Sequence, residues 1–163
     1  MLHGPELGIT ELQSTTIAQT AGGFDTLQGD AVMVLHDINH WVTVGCLGED
    51  VYLADSLCRR VSPSLSQQIK QLFAHQVDAH GKIKVHRLRC PQQPNASDCG
   101  VYAAAFGFAM ASGQITVLMD DHLDFQVDIM RIHLHCCLEA QAVGSFPMVN
   151  SVRKSGGVVV EML

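Results

Sequence analysis

The 163-residue sequence has no run of 18 apolar residues, so no membrane span is expected. Its first residues, Met1-Leu2-His3-Gly4-Pro5-Glu6, lack the basic and apolar regions of a secretory signal. Lysine and arginine number 10 against 16 acidic residues, for a net charge of −6, and they are scattered. That balance leaves no electrostatic footprint for nucleic acid and no nuclear import cluster. The six cysteines include no Cys-x-x-Cys pair, and adjacent Cys136 and Cys137 cannot easily bridge each other. His75, His80 and His86 are dispersed without zinc-like spacing, so neither a metal nor an organic cofactor is expected. No repeat or low-complexity tract occurs. Together these absences point to a reduced, intracellular setting, nucleus or cytoplasm, in which the Asn95-Ala96-Ser97 sequon is accidental.

Apolar residues are plentiful, at 47%, while charged residues make up only 16%. Such a chain has the length and composition of one well-packed domain. Its organising stretch runs from Cys90 to Tyr102. The polar loop Cys90-Pro91-Gln92-Gln93-Pro94-Asn95-Ala96-Ser97-Asp98 leads straight into an apolar helix, Val101 to Met110. Ser97 or Asp98 is placed to cap that helix. Cys99 then stands at the positive end of the helix dipole, which favours a thiolate. A helix apolar on every side lies in the middle of a domain, so a group at its tip is rigidly held. Most single cysteines merely pack as small hydrophobes. Cys99 departs from that rule only if a base, an orienting carboxylate and oxyanion donors accompany it.

The chain supplies candidates for all three. Ile9 to Thr20 reads as a short helix or a loop, and Gly22-Gly23 and Gly29-Asp30 read as turns. Residues 31–36 are a buried strand. Asp37-Ile38-Asn39 is a turn, and residues 40–47 are the next strand. Gly48-Glu49-Asp50 leads into the strand 51–55, so the last two form an antiparallel hairpin. His40 opens that hairpin and Asp55 closes it, side by side. A carboxylate so placed fixes the imidazole tautomer and steadies the imidazolium. Ser62-Pro63 starts a helix whose inner face is Leu65, Ile69, Leu72, Phe73 and Val77. Residues 83–88 read as a strand that delivers the loop to Cys99. Ser112-Gly113 stops the central helix. Asp120-Asp121 is placed to cap a last helix with Leu123, Val127, Met130, Leu134, Cys137 and Leu138 inside, ended by Gly144 and Pro147. Residues 148–163 read as a tail after a domain of residues 1–147, with Val158-Val159-Val160 a candidate edge strand.

His40-Trp41, Tyr52-x-x-Asp55-Ser56 and Gln92-Gln93-x-Asn95-x-Ser97-Asp98-Cys99-Gly100, in this order, resemble the ubiquitin-like-protein-specific (SUMO/sentrin) cysteine protease family. The resemblance covers residues 31–112 well and 121–147 loosely. It implies Cys99 as nucleophile, His40 as base and then acid, and Asp55 as orienter. It also implies Gln93 as oxyanion donor beside the Cys99 N–H. Trp41 would lie over the channel for the Gly-Gly tail of a substrate. Members usually carry more chain before the His-Trp strand, with a second tryptophan. Trp41 is alone here, which reads as a short or N-terminally truncated member.

The expected architecture is α+β, with a papain-like or ubiquitin-like-protease core. A small, mostly antiparallel sheet packs on the Cys-bearing helix, with flanking helices. The expected function is thiol proteolysis or isopeptidolysis after the Gly-Gly of a ubiquitin-like modifier, which is the expected partner. Acyl transfer by a thiol needs these groups, and it tolerates any chain order. Two rivals share the motif: a viral-type endopeptidase on the same fold, and a catalytically silent relative that binds a ubiquitin-like protein.

Overall fold

The computed structural model describes residues 23–151 and 157–163. The expectations for Ile9–Thr20 and for Gly22 lie outside them. A five-stranded sheet forms the centre, in the order β1-β2-β3-β4-β7: β1 Ala31–His36, β2 Trp41–Leu47, β3 Asp50–Ala54, β4 Lys84–Leu88 and β7 Val158–Met162. All neighbours run antiparallel except β3 and β4, which are parallel. That parallel pair needs a crossover, and helix α1, Pro63–Leu72, supplies it. Among the described residues, no helix is long and apolar enough to cross a membrane.

The β1–β2 turn has two central residues, Ile38 and Asn39, both at positive φ (45° and 58°). Asp37 and His40 exchange backbone hydrogen bonds across it, at 2.8 and 3.0 Å. Two left-handed residues match the right-handed twist of the strands, as in a type I′ hairpin. The register puts Thr43 opposite Ala54, which leaves His40 and Asp55 just beyond the paired ends of β2 and β3.

Strand alternation divides the core in two. Leu35, Val42, Val44, Val51, Leu53 and Val85 face α1, whose Leu65, Ile69 and Leu72 are buried against them with Phe73. Each large apolar side chain so buried contributes about 1.5–3 kcal/mol. The Ser62 cap, whose hydroxyl accepts from the Leu65 N–H at 3.0 Å, contributes about 1 kcal/mol. Packing therefore outweighs capping in seating α1.

Helix α2, Cys99–Ala111, covers the opposite face of the sheet. At Gly45 a Cβ would lie 3.2 Å from Met110 Sδ and 3.3 Å from the Ala31 carbonyl, so any side chain here would press on α2 and β1. The outer side of α2 meets Leu118, Phe125, Met130 and Phe146. The helix is thus enclosed on both sides, as its uniformly apolar sequence requires. Ser112 caps its end, followed by Gly113 at φ 72°.

Several expectations are corrected at the C-terminal end. The last long helix, here α4, is Val127–Ala140 and starts after Gln126, not at Asp120-Asp121; a single short turn, α3 Ile115–Leu118, precedes it. Asp120 Oδ1 instead accepts the His122 N–H at 2.8 Å in a turn. Leu123 is no helix residue: Leu123–Phe125 is strand β5, paired with β6, Met148–Asn150. Met130 and Cys137 are buried as expected, but Leu138 is 51% exposed. The helix ends at Gln141 (φ 53°), before Gly144. Of the stretch expected as a tail, Met148–Asn150 and Val158–Met162 are strands. The Val158–Val160 run lies within β7, which pairs with β4 at the sheet edge.

Candidate active site

The ends of β2 and β3 bring His40 to Asp55, and the loop that precedes Cys99 is tied to the same end of β3 through Ser56 and Gln93. His40 Nε2 lies 2.6 Å from Asp55 Oδ1, and both residues are buried. The carboxylate is itself held by backbone: Oδ1 accepts the Leu57 N–H at 2.8 Å and Oδ2 the Arg59 N–H at 2.7 Å. It selects the imidazole tautomer with hydrogen on Nε2, leaving a lone pair on Nδ1. His40 Nδ1 is buried and has no hydrogen-bond partner among the described residues. A buried polar atom without a partner is costly and needs an explanation. An imidazole held by a carboxylate on one side and open on the other can take up a proton.

Cys99 is the first residue of α2 and is buried. The first helical hydrogen bond runs from the Tyr102 N–H to the Asp98 carbonyl, at 3.0 Å. The N–H groups of Cys99, Gly100 and Val101 therefore precede the helical ladder. Two contacts seat this end of α2 on β2. The Thr43 hydroxyl donates to the Ala103 carbonyl at 2.7 Å. The indole edge of Trp41 would lie 3.6 Å from a Cβ on Gly100. His40 and Cys99 are the chain neighbours of that Trp41–Gly100 contact. Trp41 is half-buried and packs on His36, with ring centroids 4.8 Å apart.

The loop before Cys99 is wired to the end of β3. Ser56 Oγ donates to Gln93 Oε1 at 2.5 Å, and the Gln93 N–H donates to the Ser56 carbonyl at 3.0 Å. Gln93 Nε2 donates to the Asn95 carbonyl at 2.5 Å, which fixes the orientation of the amide, since a carbonyl can only accept. One Nε2 hydrogen remains available. Gln92 Nε2 donates to the Asp55 carbonyl at 3.3 Å and to the Cys90 carbonyl at 3.0 Å.

The expected cap is corrected. Asp98 occupies the N-cap position of α2, but its side chain caps nothing. Asn95 Oδ1 accepts the N–H groups of Ser97 and Asp98, at 2.9 and 3.0 Å, and so folds the loop. The Asp98 carboxylate is instead held by the Asn95 amide at 2.6 Å and by Arg131 of α4. Ser56, Asn95 and Arg131 were not singled out for a role by sequence. The first two lie inside the motif, whereas nothing in the pattern of α4 marks Arg131.

Two other thiols, Cys90 and Cys46, lie in settings that hold the proton. Cys90 is fully enclosed, and burial pushes its thiol up to about 12. Burial, aided by Asp30, also raises Cys46. Both shifts favour the protonated, less reactive thiol. Among the described residues, no group of three or more His, Cys, Asp or Glu side chains could hold a metal ion.

The family model described as "Ulp1 protease family, C-terminal catalytic domain" matches residues 44–137, more than half of the chain. The chain belongs to this family of cysteine peptidases. The matched segment includes Asp55, Gln93 and Cys99 and begins just after His40 and Trp41. One solved structure, titled as the C-terminal Ulp1 protease domain in complex with Smt3, the yeast ortholog of SUMO, is 19% identical with a TM-score of 0.38. The similarity covers 52% of this chain and 42% of that one, so the chain spans less than half of that structure's length. No curated protein matches this chain.

Proposed function

We propose that this family member is a thiol protease that cleaves after the C-terminal Gly-Gly of a ubiquitin-like modifier, in a precursor or a lysine conjugate. The observation that carries the proposal is the buried His40–Asp55 pair, 2.6 Å apart, with His40 Nδ1 left without a partner among the described residues. Nδ1 takes the proton of the Cys99 thiol as sulfur attacks the scissile carbonyl carbon. Asp55 stabilises the resulting imidazolium. The oxyanion receives the Cys99 N–H and the free hydrogen of Gln93 Nε2, each such donor contributing about 10²–10³ in rate. The carbon–nitrogen bond then breaks, and the imidazolium proton goes to the departing amine. Water, deprotonated by His40, hydrolyses the thioester and frees Cys99. Trp41, against Gly100, would cover the narrow Gly-Gly tail. We place the protein in the nucleus or cytoplasm, where free thiols stay reduced.

The test uses ubiquitin and several ubiquitin-like proteins, each ending in a thiol-reactive electrophile. One of them should capture the wild-type chain covalently and leave Cys99→Ala uncaptured. Capture that persists in Cys99→Ala removes Cys99 as the nucleophile. Binding without capture identifies a silent relative. Cleavage of peptide libraries with no Gly-Gly preference identifies an endopeptidase.

A further inference from the structure

Arg131 lies 32 residues beyond Cys99 on α4, yet it reaches the two residues that precede Cys99. Its Nη2 donates to the Ser97 carbonyl at 2.9 Å and contacts Asp98 Oδ1 in an ion pair. The two partners are unequally exposed: the Arg131 side chain is 59% accessible and that of Asp98 12%. Two exposed ions at a surface would contribute little. Here the anion is buried and joined directly to Cys99, so the Asp98 charge is the one that would be stranded. Oδ2 of Asp98 already accepts the Asn95 amide at 2.6 Å, while Oδ1 makes no hydrogen bond among the described residues and relies on the ionic contact. An unbalanced carboxylate at this position would oppose the negative charge that forms on sulfur.

We infer that Arg131 is a positioning residue for the Cys99 nucleophile, which it serves by balancing the buried Asp98 carboxylate and pinning the Ser97 carbonyl. The inference rests on the thiol-protease reading above. Arg131 touches neither sulfur nor substrate. It acts through Asp98.

The experiment measures alkylation of Cys99 by chloroacetamide, followed by peptide mapping, in the wild type, Arg131→Gln, Asp98→Asn and the double variant. An unstructured cysteine peptide in the same tube gives the reference rate, so no modifier or substrate is needed. Cys99 of the wild type should react faster than the reference. Arg131→Gln should slow it about tenfold, the effect of one unbalanced charge on the adjacent buried residue. The double variant should return to within about threefold of Asp98→Asn, because neutralising Asp98 removes what Arg131 balances. Loss of packing alone would not be rescued in this way. A rate in Arg131→Gln within twofold of wild type overturns the inference, and so does slowing that persists in the double variant. Arg131→Lys keeps the charge and should keep the rate within about threefold; a tenfold loss there also overturns the inference, whether or not the glutamine variant folds. A wild-type Cys99 no faster than the reference instead removes the thiol-protease reading, a result distinct from any Arg131 effect.

Discussion

Asp55 is the most constrained of the polar residues around His40. Its carboxylate meets the imidazole and two backbone N–H groups, while its carbonyl takes the Gln92 amide and the Cys58 N–H. Asp55→Asn should therefore leave the strand end in place while spoiling the chemistry. An asparagine can offer its oxygen or its NH2 to Nε2, and it cannot stabilise an imidazolium as a carboxylate does. We expect kcat to fall by about 10³–10⁴, the size of the effect where an orienting aspartate is so replaced. Single-turnover rates on a Gly-Gly amide substrate check this, and an unchanged rate would show that Asp55 is no orienter. Gln93 carries the opposite lesson. Its sequence position suggested an oxyanion donor, but the structure adds that its carbonyl oxygen and one amide hydrogen are spent on Ser56 and Asn95. The same residue orders its own loop, which spacing alone could not reveal.

Helix α2 shows why an element is easier to foresee than its seat. Its apolar sequence announces burial on all sides, and Gly113 announces its end. One of the contacts that seat it on β2 comes from a hydroxyl 60 residues away, Thr43 to the Ala103 carbonyl. Thr43→Val keeps the shape and deletes the hydrogen bond. It should lower stability by about 0.5–1.5 kcal/mol, at the lower end because the Ala103 carbonyl keeps its helical partner. Urea unfolding with an unchanged slope tests it; no loss would mean that packing alone seats the helix. The C-terminal helix marks where element reading stops. Paired aspartates at 120–121 resemble a cap, and Leu123 fits a helical stripe. Pairing of residues 123–125 with 148–150 overrides both, because strand partners 23 to 27 residues apart leave no local signature.

At the scale of the whole molecule, sheet closure by β7 joins the far end of the chain to β4. Leu163 exchanges backbone hydrogen bonds with Ile83 at 3.0 and 3.2 Å, and Arg87 pairs with Glu161 at 3.3 Å. The enclosed Cys90 thiol makes global stability depend on alkaline pH. Burial raises it to about 12 in the folded protein, against an ordinary value of 9.0. Below about 9 both states keep the proton, and its contribution to stability is fully present. As pH rises from 9 toward 12 the unfolded chain loses the proton first, so that contribution declines. Tyr102 and Cys46, also raised by burial, add to the decline. Chemical denaturation between pH 8 and 10.5 should therefore show a steeper fall for wild type than for Cys90→Ala. Equal slopes would mean that Cys90 has access to solvent.

The sequence by itself determined the local parts of this protein: the β2–β3 hairpin that sets His40 beside Asp55, the Ser62 cap, the all-apolar helix and the loop ending at Cys99. Each follows from turn chemistry or periodicity within about a dozen residues. It also carried the family likeness, because the motif residues are consecutive or nearly so. Tertiary structure alone decided the rest. Pairing of β4 with β7, the strand Met148–Asn150 where a tail was expected, and the grip of Arg131 on Asp98 join residues far apart in the chain. Such contacts depend on which surfaces meet after collapse, and the backbone groups of an edge strand or a lone arginine on a helix carry no mark of their eventual partner.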